Sequence, residues 1–332
     1  MDKKTVNRQI RSISNRSSLL LLVFFALVIP AQILLKYMSR TGGYDSVWQD
    51  SKFLWSITQA AVFVIAYPLL YLIFYKLLNR KHSLRLRDVF QKPLRSKGWI
   101  LKWTVIAVGS SLLLQVVLGL FVKETRSGMQ SFLTKNDPLG WIIYGVPVVI
   151  LAPIFEELVF RATIFRNNEP VGQLLAPVVT GIAFGLWHTN IAQVYFAALL
   201  GVFLCLIFAK TRSIYTVMFV HFVNNLLSFS MSFLKIQLGS ILSAGDKVFM
   251  VQAMFHKQTV LAVLLTLIIL IILSMIVAAP IMLTVQIVKK RKSFGLNKGI
   301  FEFGALKKTL VFMTAPLTVI VFVLMILMTF VF

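Results

Sequence analysis

The chain of 332 residues has one cysteine, Cys205, and only 11 acidic side chains. A single cysteine excludes an internal disulfide and any cysteine-rich metal site. Set in an apolar run, Cys205 reads as a small core filler rather than a catalytic thiol. No Gly/Ser linker, low-complexity tract or internal repeat divides the chain. That gives no support to tethered modules, or to an ion-coupled transporter built from repeated halves. Charge is scarce as well: 14% of residues are charged against 58% hydrophobic, with a mean hydropathy of +0.84. These values exclude an ordinary soluble domain.

What is there in abundance is long apolar runs. A spanning helix needs about 20 apolar residues, and nine segments are read as candidates: Leu19 to Leu35, Phe53 to Leu78, Trp99 to Val122, Trp141 to about Phe165, Gln173 to Asn190, Val194 to Ala209, Ile214 to Leu234, Val260 to Val288, and Thr309 to Phe332. The expected fold is therefore all-α, a polytopic membrane bundle of about nine transmembrane helices. It divides into N-terminal helices over 1–140, a core over 141–234 and C-terminal helices over 235–332. The basic lead before the first run resembles a signal peptide. Its apolar stretch is long and lacks a small-x-small site, so an uncleaved anchor is expected.

The net charge of +23 raises the question of nucleic acid, and its distribution answers it. With the N-terminus inside, 23 of the 34 Lys and Arg fall on the cytoplasmic side. That asymmetry is the positive-inside rule. It explains the basic charge with the lipid bilayer as partner and no nucleic acid, and predicts a multi-pass plasma-membrane protein with its C-terminus outside. The run "KKRK" from Lys289 to Lys292 could also touch anionic headgroups.

Ionisable groups inside spanning helices cost about 2.5–3.5 kcal/mol on insertion scales and mark functional sites by default. Here they are Glu156, Glu157 and Arg161 in "VVILAPIFEELVFR", His188 in "FGLWH", and His221 in "HFVNN" with Asn224 and Asn225. At about 100° per residue, Glu157 and Arg161 lie about 40° apart on one face and suit an ion pair, while Glu156 points about 140° away from Arg161. His221 and Asn225 also share a face. Helices carrying a free Glu, a His and a His/Asn pair can converge on one buried polar pocket. Such a pocket could hold a water for peptide hydrolysis, with a carboxylate as base and imidazole or amide donors for the oxyanion. The set His188, His221 and Glu156 would equally serve a catalytic zinc with an open position for water. His188, counted from Gln173, sits deeper than Glu156 or His221 on straight helices. Either the first turns of the fifth run lie below the membrane core, or Pro177, Gly181 and Gly185 tilt or bend it.

"EELVFR" at Glu156 to Arg161, "FGLWH" at Phe184 to His188 and "HFVNN" at His221 to Asn225 resemble the EExxxR, FxxxH and HxxxN motifs of the CAAX-protease and bacteriocin-processing (CPBP, Abi) intramembrane proteases. The resemblance covers Trp141 to Leu234. It implies an endopeptidase in which Glu156 activates water, with His188, His221 and Asn225 around that water and Glu157 with Arg161 as a structural pair. Substrates in such a family range from prenylated CAAX proteins to peptides of bacteriocin maturation or self-immunity. The motifs leave open whether one divalent metal takes part. No HExxH, paired membrane aspartates or GxSG occurs, so other intramembrane protease types fit worse. The competing reading is a non-catalytic scaffold that binds a membrane partner such as a sensor kinase.

Overall fold

The computed structural model describes residues 3–40, 65, 68–69, 72, 86–120, 141–142, 145–242, 259–290 and 305–331. Among the described residues all regular structure is helical. The helices are α1 (Lys3–Arg40), α2 (Lys97–Gly119), α3 (Ala152–Val159), α4 (Leu175–Trp187), α5 (Ile191–Thr211), α6 (Ile214–Leu242), α7 (Thr259–Lys290), α8 (Ala305–Met313) and α9 (Pro316–Val331). Four of them, α2, α5, α6 and α7, are long and apolar enough to cross a membrane, and α8 with α9 makes a fifth if that bent pair is one span. The chain is thus an all-α membrane bundle.

The expected count of nine spans differs from this in five places. Leu19 to Leu35 falls within α1, and Trp141 to about Phe165 contains α3 between two π-helical turns; neither is among those spans. Phe53 to Leu78 lies outside the described residues apart from isolated positions. The fifth run forms only the 13 residues of α4, about 20 Å at 1.5 Å per residue and short of a hydrocarbon core of about 30 Å. The last run is broken between α8 and α9 by a 76° bend. Pro316 opens α9; it lacks an N–H for the preceding turn and disfavours a helical Ala315. The next amide is capped from elsewhere in the chain: Leu317 N–H donates to Asn15 Oδ1 on α1 at 3.3 Å.

The centre of the bundle is the α4–α5 pair. Gly181 and Gly185 recur four residues apart on α4 and face Ala198, Gly201 and Val202 of α5. A Cβ at Gly181 would come within 2.7 Å of the Val202 backbone nitrogen, and one at Gly201 within 3.0 Å of Gly181 Cα. Small residues at this spacing let two backbones approach, which is how membrane helices associate where apolar burial gives no net drive. α4 runs as one helix through Gly181 and Gly185. Pro177 lies in the first turn of α4, where its missing N–H costs little, and the helix does not start until Leu175.

The first and last helices close the bundle through a buried polar seam. Ser14 Oγ on α1 donates to Phe312 O at 2.8 Å, and Thr318 Oγ1 on α9 lies 2.5 Å from Ser14 Oγ and 2.8 Å from Ser18 Oγ. Outward faces are apolar, as a lipid surface requires. On α7, Leu270, Val277, Ile281 and Val288 are all exposed.

Candidate active site

Site geometry begins with two prolines. Pro147 lies at the start of a π-helical turn, Val146–Leu151, that leads into α3, and Pro153 lies in the first turn of α3. In this wide turn the Ala152 N–H bonds back to Pro147 O, so the next donor, at position 153, would serve Val148 O. Residue 153 is proline and has no N–H. The carbonyl it leaves is taken by another helix: Asn225 Nδ2 on α6 donates to Val148 O at 2.8 Å. A second π-helical turn, Phe160–Phe165, follows α3. The two carboxylates thus sit on two regular turns bracketed by wide ones, an arrangement common at functional sites.

Glu157 and Arg161 are both fully buried, with Arg161 Nη1 2.8 Å from Glu157 Oε1. Arg161 Nη2 donates to Gly201 O at 3.2 Å, a carbonyl within reach because Gly201 lies at the α4–α5 close approach. The guanidinium carbon stands 4.4 Å from the Phe184 ring centroid. A buried guanidinium needs this set of acceptors and an aromatic face to offset lost hydration.

Glu157 has a second partner that helical spacing cannot show. His221 Nδ1 lies 2.8 Å from the same Oε1. A carboxylate held ionised by Arg161 only accepts, so Nδ1 carries the proton and donates. Nε2 then faces the other carboxylate, 3.8 Å from Glu156 Oε2. That oxygen is buried and has no hydrogen-bond partner among the described residues. Glu156, Glu157, His221 and Arg161 therefore form one linked group.

His188 caps the C-terminus of α4. Its Nδ1 lies 2.8 Å from Phe184 O; a carbonyl only accepts, so here too Nδ1 is the donor and Nε2 the free edge. Thr189 follows at φ 49°, a left-handed conformation that a β-branched residue rarely adopts. It turns the chain at once into α5. The Phe184 ring meets both imidazoles edge-on, with centroids 5.0 Å from His188 and 5.6 Å from His221. This shared ring is the contact that links the two histidines.

Both histidines are held through Nδ1 by an acceptor, the pattern that orients metal-binding imidazoles. Among the described residues, however, no three His, Cys, Asp or Glu are grouped closely enough to hold a metal ion.

The sequence reading placed Glu157 only with Arg161 and missed its bond to His221. It missed the Val148, Gly201 and Phe184 contacts too, although Pro153 was a visible sign of an orphaned carbonyl. Asn168, 2% exposed, was also passed over. It accepts from Ser17 Oγ on α1 at 2.8 Å and donates to Thr180 Oγ1 on α4 at 3.3 Å. It ties the far end of the Glu156 segment to the helix that carries Phe184 and His188.

The buried Glu-Glu-His-Arg cluster lies in the part of the chain that is similar to CAAX-type membrane proteases. Residues 138–227 match the family described as "Type II CAAX prenyl endopeptidase Rce1-like". With the two relatives that follow, this match supports a likeness of that segment to the CAAX-protease and bacteriocin-processing family. The chain is 25% identical over 181 residues to "Membrane-embedded CAAX protease MroQ" of Staphylococcus aureus (strain USA300), covering 50% of this chain and 70% of that protein. It is 27% identical over 90 residues to "Putative membrane peptidase YdiL" of Bacillus subtilis (strain 168), covering 25% of this chain and 37% of that one. No solved structure matches the chain.

Proposed function

We propose that the protein is an intramembrane endopeptidase that hydrolyses a peptide bond of a membrane-associated protein or peptide, with Glu156 as the base. The observation that carries this reading is the polarised histidine. Glu157 holds His221 Nδ1–H, and Nε2 stands 3.8 Å from the unpartnered Oε2 of Glu156. Both atoms accept. A water donating one O–H to each would expose its lone pair to a substrate carbonyl.

Glu156 takes the proton as the water oxygen bonds to the carbonyl carbon, and the carbonyl electrons move to oxygen. The oxyanion is met by the second N–H of the Asn225 amide, and the Nε2 edge of His188 orients the substrate through a bridging water. Glu156 then passes its proton to the leaving nitrogen, the C–N bond breaks, and a carboxylic acid, which keeps the second water proton, departs with an amine. Glu157 and Arg161 touch no substrate; they hold the His221 tautomer. The name of the staphylococcal relative supports a CAAX-like substrate in the membrane.

The test is hydrolysis of a peptide library by the purified protein, with and without chelator, against Glu156→Gln. This variant keeps size and hydrogen bonding but not the base, so it should fold while the rate falls by about 10²–10⁴. His188→Ala and His221→Ala should be similarly inactive, and chelator should change nothing. Loss of wild-type activity with chelator would sink the metal-free mechanism. A Glu156→Gln variant that fully complements a deletion strain would replace the enzyme with the scaffold.

A further inference from the structure

We propose that residues 86–97, together with the turn between α5 and α6, form a binding site for the headgroups of anionic phospholipids. The segment is built into the fold rather than hung from it. Val89 is 1% exposed and its carbonyl accepts from Ile214 N–H at 2.8 Å, while Leu94 N–H donates to Thr211 O at 3.0 Å. Gln91 Nε2 donates to Arg212 O at 3.1 Å. These bonds form a shelf at the first turn of the spanning helix α2.

Its charge is unbalanced. The two carboxylates at the shelf are already engaged: Asp88 lies 3.7 Å from Arg166 and 3.9 Å from Arg87, and both oxygens of Glu169 accept from Arg212, at 2.7 and 2.9 Å. Lys92, Arg95, Lys97 and Lys210 are exposed and have no carboxylate partner among the described residues. Arg95 leans instead over the Trp99 ring, at 5.9 Å.

Apolar side chains lie among these cations. Leu94 is 66% exposed and Phe90 37%. Phe90 packs edge-on against Tyr215, with centroids 5.6 Å apart. Tyr215 and Phe219 are one turn apart on α6 and both exposed, so the apolar side of the shelf runs into the lipid-facing stripe of that helix. An acidic protein partner would meet the cations but leave this continuity unused. A bilayer satisfies both, with Leu94 and Phe90 at the acyl boundary, Trp99 and Tyr215 at headgroup level and the four cations against phosphates.

The test follows the lipids retained by full-length protein in uncharged micelles containing equal amounts of phosphatidylglycerol and phosphatidylcholine, read by native mass spectrometry. Each cation near an anionic surface contributes about fivefold, so Lys92→Gln, Arg95→Gln and Lys97→Gln together should cut the preference for phosphatidylglycerol at least about tenfold. The control replaces Lys3, Lys4 and Arg8, exposed on α1, by Gln; its preference should stay within about twofold of wild type. Leu94→Ser should lower retention of both lipids and leave their ratio unchanged. Equal losses in the two triple variants, or none in either, would overturn the site, as would a Leu94→Ser protein that retains lipid normally. Should the triple variant fail to fold, Lys92→Gln alone, with an expected loss of about fivefold, decides the matter.

Discussion

The bond from Asn225 to Val148 O makes a prediction about two residues that lie on different helices and share one carbonyl. Asn225→Ala removes the side-chain donor that reaches Val148 O from α6. A buried acceptor left unpaired costs about 1–3 kcal/mol. Val148 and Asn225 are both half-buried, which puts the expected loss in the lower half of that range, about 1–1.5 kcal/mol. Pro153→Ala restores a backbone N–H one turn away, able to serve that carbonyl in the wide turn. In the Pro153→Ala background the cost of Asn225→Ala should therefore shrink, with a coupling of at least about 0.5 kcal/mol, the lower end for residues that share a partner. The assay is reversible unfolding in mixed micelles for all four members of the cycle. Hydrolysis is measured beside it, because the second amide N–H of Asn225 is assigned to the oxyanion. Activity should stay low in Asn225→Ala, Pro153→Ala even where stability returns. Additive stability losses would refute the shared carbonyl. Full recovery of activity would remove Asn225 from the oxyanion and leave it as a structural tie.

Arg161→Ala strands the Glu157 carboxylate at a fully buried position and should cost about 3–5 kcal/mol, seen as lost folded yield; Glu157→Gln with Arg161→Met should recover more folded protein than Arg161→Ala, without recovering activity. Glu157→Gln alone offers its amide N–H to His221 Nδ1 and reverses the tautomer, a change that costs about 10⁴ in rate in serine proteases, so hydrolysis should fall further than stability does. Asn168→Ala breaks the tie from α1 to α4 and should lower kcat with little change in KM, with partial rescue by Asn168→Ser; a wild-type kcat would limit Asn168 to packing. In a Cys205→Ser background, a cysteine at Lys292 should resist an impermeant thiol reagent in intact cells and one at Lys247 should react; the reverse pattern would invert the topology.

Composition and periodicity carried the fold class by themselves. Apolar runs and the one-sided placement of Lys and Arg demand a helical membrane protein, because a bilayer accepts only segments that satisfy their own backbone. Three motifs in order carried the resemblance to the CAAX-type proteases, and i to i+4 spacing was enough to expect Glu157 near Arg161, since one helical turn brings such a pair together without any tertiary information. What lies across helices had no such signature. Nothing in one dimension says that Glu157 serves His221 as well as Arg161, that Phe184 stands between two imidazoles, or that Gly201 supplies an acceptor to a buried guanidinium. Those contacts depend on how closely α4 and α5 approach and on where two π-helical turns aim Glu156. The breaks and the close approach were written in Pro153, Pro316, Gly181 and Gly185, but a proline specifies only that a bond is lost, and a glycine only that space is left. Which donor fills the gap and which backbone enters the space is decided by packing, where every buried polar group must find its partner at once.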